Sequence, residues 1–400
     1  MNQKKVVLGF SGGLDTSYCA VYLNKIKGLE VHAVLVNTGG FSEPEIQSIA
    51  NRAAILGVNH FEVVDITKLY YADCLRYLIF GNVLKNNTYP LSVSSERIFQ
   101  AQAIAEYAKK VNADCVAHGS TGAGNDQVRF DMMFQIVLPN VEILTPIRDL
   151  KLSRQEEIAF LKSHGIELDF TKAAYSINKG LWGTSVGGQE TLTSDKSLPE
   201  SAYPSQLHNT TAQTICVHFK KGEPIGINDT IYDHPVETIQ ALQKLAEPYA
   251  IGRDVHVGDT IIGIKGRVGF EAAAPLILLK AHHSLEKHVL TKHQMIIKDQ
   301  LSMWYGNWMH EGLYLDEVMR NIEAFFRDSQ QCVSGKVMIQ LSPYQFQILG
   351  IESKHDLMSS KFGSYGEMNK SWTGEDVKGF TKIYGNALSI YHQVNTEVIS

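Results

Sequence analysis

The chain reads as an α/β protein: a doubly wound parallel sheet, then an α+β second domain, then a C-terminal arm. Three observations predict this. Between residues 5 and 165 short apolar runs alternate with segments of helical period, the rhythm of a parallel sheet covered on both faces. A loop dense in glycines and hydroxyls, Gly9 to Ser17, joins the first apolar run to the first helical segment. After residue 171 the alternation stops, and Ser, Thr, Gly and Lys mark a long loop region to residue 212. Domain limits of 1–170, 171–378 and 379–400 follow.

Each element has its own signal. Lys5 to Leu8 is a buried-strand pattern feeding a helix that runs to Gly28. Val31 to Val36 is the second strand, ending in the turn Asn37-Thr38-Gly39-Gly40. Ser42 followed by Glu43, Pro44 and Glu45 starts a helix that closes at Gly57, with its acidic residues in the first turn. His60 to Ile66 is a third strand, and 67–81 a helix striped by Tyr70, Tyr71, Leu75 and Leu78. An amphipathic helix over 96–110 leads into a strand at Asp114 to Ala117, and Val141 to Pro146 is the fifth. Ser153-Arg154-Gln155-Glu156 is a capping box opening a helix to Gly165. Farther on, the pattern predicts a hairpin around Cys216 to Asn228, a helix near 235–248 and a strand at Thr260 to Ile264. A long helix over 274–305, another over 313–328 and two strands within 335–350 complete that domain. Gly379 to Ser400 alternates apolar residues and reads as an arm toward a neighbouring subunit.

Gly9-Phe10-Ser11-Gly12-Gly13-Leu14-Asp15-Thr16-Ser17 carries the first chemistry. Gly12 and Gly13 allow a tight turn and close approach of a ligand to the backbone. Ser11, Thr16 and Ser17 add hydroxyls, and the helix start adds free N–H groups. Together these cradle several phosphate oxygens, which makes the first domain a nucleotide-binding one. Asp15 beside phosphates is repulsive unless a cation, usually Mg²⁺, lies between them. Neither the Walker A lysine nor a dinucleotide Gly-x-Gly-x-x-Gly is present.

A net charge of −5 and a pI near 6.3 do not suit a surface built to neutralise nucleic-acid phosphates. The five cysteines (Cys19, Cys74, Cys115, Cys216, Cys332) are scattered without a Cys-x-x-Cys pair, as buried thiols of a reducing compartment are. No apolar run reaches transmembrane length and no signal-peptide segment opens the chain, so the expectation is a cytoplasmic protein without a membrane partner. His282, His283, His288 and His293 read as surface or interface histidines rather than zinc ligands. Trp304, Tyr305 and Trp308 read as buried helix aromatics.

His118 to Phe130 is the second dense stretch. Its glycines permit close approach, and Thr121, Asn125, Asp126 and Arg129 offer both donors and acceptors, as a zwitterionic amino acid requires. The Ser-Gly-Gly-x-Asp-Thr core of the first loop resembles that of the ATP pyrophosphatases, which cut ATP between its α- and β-phosphates and pass AMP to an acceptor oxygen. With His118–Phe130, Tyr89–Ser94 and Tyr175–Ser185 added, the chain resembles the argininosuccinate synthase family from residue 5 to beyond 380.

That resemblance implies an ATP-dependent ligase joining citrulline to aspartate through a citrullyl-AMP intermediate, in a homotetramer. Gly9, Phe10, Ser11, Gly12, Gly13, Leu14, Asp15, Thr16, Ser17, Val36 and Gly119 would hold ATP and its Mg²⁺, the ion carried with ATP near Asp15 rather than in a dedicated protein site. Thr121, Asn125 and Asp126 would hold aspartate, and Tyr89, Ser94, Asn125, Arg129, Ser176 and Ser185 citrulline. Asp15 and Asp126 would carry the catalytic roles, Asp126 by positioning the aspartate amine. The chain departs from the family pattern at Val36, Gly40 and Ala123, and has Gly258 and Phe270 where a citrulline-contacting glutamate and tyrosine stand. Asp259 or Glu271 is then the expected substitute carboxylate. The competing readings are a tRNA-modifying adenylating enzyme, disfavoured by the acidic charge and the absence of a cysteine motif, and a non-catalytic sensor, disfavoured by the intact amino-acid residues.

Overall fold

Five parallel strands organise the first part of the chain in the computed structural model: β1 (Lys5–Gly9), β2 (Glu30–Asn37), β3 (His60–Asp65), β4 (Cys115–Ala117) and β5 (Glu142–Leu144). The structure describes residues 3–58, 60–168, 175–358, 363, 365–367 and 371–399. The strand order is β3-β2-β1-β4-β5. Central β1 and β2 are buried almost throughout because helices cover both faces, and Val6, Val7 and Leu8 have no exposed surface. The order reverses between β1 and β4, which opens a crevice at their carboxyl ends.

Among the described residues nine further strands follow in chain order: β6 (Ser176–Gly180), β7 (Gly183–Gly187), β8 (Gln213–Lys220), β9 (Glu223–Ile227), β10 (Thr230–Ile231), β11 (Arg253–Asp259), β12 (Lys265–Glu271), β13 (Gly335–Ser342) and β14 (Gln345–Glu352). They form two antiparallel sheets, β10-β9-β8-β13-β14 and β11-β12-β7-β6. The described residues to 354 form one compact unit, and those from 355 a second.

Several expectations are corrected here. The region 171–212 holds the β6–β7 hairpin rather than a plain loop; residues 171–174, like the expected domain limit at 170–171, lie outside the described residues. Trp182 anchors that hairpin, buried with its indole N–H donating to the Pro90 carbonyl at 2.9 Å. Thr260 to Ile264 is the turn joining β11 and β12, not a strand. The Thr260 hydroxyl accepts from Ile264 N at 2.9 Å, Gly263 takes φ +84°, and Ile262 and Ile264 are exposed. The helix predicted over 274–305 is two, Ala273–Val289 and Lys292–Glu311. Thr291 and Gln294 form a capping box at the break, satisfying the N–H groups of the new helix start.

That break places a polar cluster in the core, which corrects the reading of His282. It is fully buried, its ring nitrogens within reach of Asn82 (2.6 Å) and Gln330 (2.8 Å). Glu286, one helical turn on, forms an ion pair with the equally buried Lys298 of the next helix at 2.8 Å. Burial holds the imidazole down to about 4. His293 is exposed, and His283 and His288 are half-buried. Trp304 is exposed, unlike buried Tyr305. The thiols of Cys19, Cys74 and Cys115 are buried, but Cys332 is exposed and Cys216 half-buried; all five are free. The final unit is helical, Gly374–Tyr384, Asn386–Val394 and Thr396–Ile399. Val377, Phe380, Tyr384, Tyr391 and Val394 recur at the three-to-four spacing of a helix and are exposed.

Candidate active site

The loops after β1, β2 and β4 converge on a cavity of about 1090 Å³. At one end lies the Gly9–Ser17 loop. Gly13 caps the helix Leu14–Val21 in an extended conformation with no side-chain acceptor, so the first-turn N–H groups stay open to an anion. Gly12 takes φ +73°, a conformation that costs any residue with a Cβ about 1–2 kcal/mol. A Cβ on Gly119 would lie 3.2 Å from Thr16 and 3.3 Å from Asp15, so glycine lets the two loops meet. Ser11 and Thr16 hydroxyls stand 3.4 Å apart.

Gly9, Phe10, Ser11, Gly13, Leu14, Asp15, Thr16, Val36 and Gly119 all line the cavity. Gly12 instead borders a smaller adjoining hollow with Ile49 and Arg52. Ser17 lies in the core one turn into the helix, its Oγ without a partner. Asp15 has a neighbour that the motif does not contain: the carboxyl of Glu157, from the helix Arg154–Ser163, lies near enough to interact with it. Burial raises the pKa of Asp15, and burial followed by the charge of Asp15 pushes Glu157 up to about 7.

At the other end the cavity is lined from the helix Ser92–Lys110, the helix Asp126–Val137 and the sheet β11-β12-β7-β6. Asp126 is held between two guanidiniums, Arg97 Nε at 3.1 Å and Arg129 Nη1 at 2.8 Å. Burial favours its protonation, but Arg97 and then Arg129 outweigh that and keep it below the usual carboxylate range. Asp126 is therefore a fixed anion and a poor proton acceptor. Arg129 also donates to the His310 carbonyl, at 3.0 and 2.8 Å.

The register brings Asn178 opposite Ser185 and Ser185 opposite Phe270, so these share one sheet face with Ser176, His256 and Gly258. Tyr89, Ser94, Thr121, Asn125, Asp126, Arg129, Ser176 and Ser185 all line the same cavity. Ser94 Oγ is buried and has no partner, which is how a hydroxyl reserved for a ligand presents itself. The 118–125 loop is clamped from several sides. His118 pairs with Asp131 at 2.9 Å, Gln127 donates to the Gly122 carbonyl at 2.7 Å, and Asn125 accepts from Ile261 N at 2.8 Å.

Sequence reasoning missed Glu96, Arg97, Asn178, Glu157, His256 and His310. Arg97 carried a signal: with Gln100 it interrupts the stripe of Val93 and Ile104 on the cavity side of its helix. The expected substitute carboxylates are engaged elsewhere. Asp259 pairs with Lys265 at 2.6 Å, while buried Glu271 turns to Arg253 at 3.1 Å and to the Ser205 hydroxyl.

Known proteins resemble the chain along nearly its whole length. A family model described as "Arginosuccinate synthase N-terminal HUP domain" matches residues 5–167, and one described as "Arginosuccinate synthase C-terminal domain" matches residues 175–391. The argininosuccinate synthase of Sulfurisphaera tokodaii is 33% identical over 393 residues, 98% of this chain and 99% of its own. That of Methanocaldococcus jannaschii is 33% identical over 97% of this chain and 98% of its own, and that of Xanthomonas campestris 33% identical over 99% and 100%. With both domains matched and relatives aligned end to end, the chain belongs to the argininosuccinate synthase family, the ATP-dependent ligases of citrulline and aspartate in arginine biosynthesis.

Proposed function

We propose that the Gly9–Ser17 loop with Val36 and Gly119 holds ATP, that Thr121, Asn125 and Asp126 hold aspartate, and that Tyr89, Ser94, Asn125, Arg129, Ser176 and Ser185 hold the ureido amino acid. The observation that carries this reading is the meeting of the phosphate cradle and the Arg97–Asp126–Arg129 cluster on one cavity. A ureido carbon is a poor electrophile because its nitrogens donate into the carbonyl. Attack of the ureido oxygen on the α-phosphorus, with loss of PPi, turns that oxygen into a leaving group. The aspartate amine then attacks the carbon and displaces AMP. Orientation and charge stabilisation are what the protein must supply. Asp126 positions the amine as an anion, and its two guanidinium partners argue against its taking the proton.

The Asp15–Glu157 pair suits a Mg²⁺ that arrives with ATP, since a cation there relieves two neighbouring carboxyls and offsets the phosphate charge. The division into a nucleotide domain (1–170), a synthetase and oligomerisation domain (171–378) and an arm (379–400) is part of the same proposal. So is a homotetramer, supported by exposed apolar residues on the terminal helices, which need a covering partner. Five free thiols suit the cytoplasm. PPi and AMP release with ATP, Mg²⁺ and aspartate, measured with and without citrulline, tests the assignment. Both products are expected only with a ureido acceptor; release independent of it overturns the reading.

A further inference from the structure

One wall of the acceptor recess is lined by His256, Gly258 and Tyr89, with Phe270 packed against Tyr89. A Cβ on Gly258 would lie 2.7 Å from His256 Nε2 and 3.1 Å from its Cε1, so the imidazole occupies the path that a side chain at 258 would take. The His256 ring stacks on Tyr89 with centroids 5.2 Å apart, and fully buried Phe270 meets Tyr89 at 5.3 Å without adding a polar atom. His256 lines the cavity while only 5% exposed, and its Nδ1 is buried with no hydrogen-bond partner. An orphaned ring nitrogen in such a place is waiting for a ligand group. His310 stands beside it, ring centroids 6.2 Å apart.

An ammonium group taken into this recess needs a carboxylate. Among the described residues none is free there. Asp126 is shared by Arg97 and Arg129, Asp259 is held by Lys265, and Glu271 faces Arg253. Glu96 is buried against the Thr38 hydroxyl. Burial and nearby cations act on this wall together. Burial and then Lys85 hold His256 below its ordinary pKa, and burial, Arg129 and Lys85 bring His310 down to about 3. The burial that mainly keeps the two imidazoles neutral, and the cations that add to it, also disfavour a cation placed next to them. An amide meets no such opposition: its N–H donates to an imidazole nitrogen and its carbonyl accepts from a neighbouring donor.

We infer that the acceptor of this enzyme is a citrulline whose α-nitrogen carries an acyl group, held as an amide against His256, and not citrulline with a free α-ammonium. The inference rests on the ligase reading above and leaves its bond changes untouched, because the ureido end that receives AMP is the same.

The test compares kcat/KM for PPi release by the full chain with ATP, Mg²⁺ and aspartate, using citrulline, N-acetylcitrulline and N-succinylcitrulline. An acylated acceptor is expected to be favoured by about tenfold or more, the discrimination available to a site that pairs one form and leaves the other unpaired. Mass spectrometry should then show an N-acylated argininosuccinate. A preference for citrulline over both acylated forms overturns the inference and leaves the ligase assignment standing. Release with none of the three overturns both. His256→Ala should raise KM for the acylated acceptor with little change in KM for ATP; equal loss with every acceptor would overturn the role given to His256.

Discussion

The two ends of the cavity are built in different ways. The end we propose holds phosphates is one contiguous loop built on backbone: free N–H groups at a helix start, a glycine at φ +73° and a close contact with Gly119 of the neighbouring loop. The acceptor end is assembled from side chains of separate segments, Tyr89 and Ser94, Asp126 and Arg129, Ser176 and Ser185, His256 and His310. A backbone site tolerates little change of conformation but is indifferent to most side chains. A side-chain site can keep its frame while one wall is exchanged, as Gly258 and His256 illustrate.

The largest expected effect tests the acceptor end. Asp126→Ala leaves Arg97 and Arg129 facing each other without their shared anion, and should lower aspartate-dependent AMP release roughly a thousandfold in kcat/KM. A loss under tenfold would remove Asp126 from the centre of the site. At the phosphate end, Gly12→Ala forces a Cβ into the left-handed region and should reduce stability by about 1–2 kcal/mol, measured by urea unfolding. An unchanged midpoint would mean that this turn relaxes freely, against the contrast drawn above. Ser94→Ala should raise KM for the ureido acceptor by a few-fold to about tenfold, the worth of one hydrogen bond, with KM for ATP unchanged. A shift in the ATP value instead would move Ser94 to the other end.

The smallest effect concerns the carboxyl pair. Glu157 titrates near 7 in the folded protein against an ordinary 4.5, so the folded state holds a proton that the unfolded chain has released. Stability from this group is present below about pH 4.5 and is lost as pH rises through 7. Without nucleotide, Glu157→Gln should therefore lose less Tm than wild type between pH 5 and pH 8. Parallel Tm curves for the two proteins would show that the pair is not coupled to folding.

Local signals in the sequence located most of the Gly9–Ser17 loop that lines the cavity, because chain neighbours there are also spatial neighbours, but Glu157 lay beyond their reach. The strands β1 to β5 were likewise legible from alternating apolar runs and caps such as Ser42 and Ser153. Elsewhere the reading failed, in part against local signals it underweighted. Thr260 to Ile264 has a strand's composition, but Gly263 and the Thr260 hydroxyl close it into a turn. The helix break at Thr291 carried a visible capping box, outweighed by continuous apolar patterning on both sides. Arg97 and Glu157 find their partners across the fold, Arg97 with Asp126 and Glu157 with Asp15, and no spacing rule connects such pairs.

Following the ureido oxygen tests the central claim most directly. With an acceptor labelled with ¹⁸O in its ureido group, adenylation at that oxygen predicts that the label leaves in AMP, one atom for each ligation. Label retained in the amino-acid product, or lost to water, would contradict adenylation of the acceptor and with it the functional reading of this cavity.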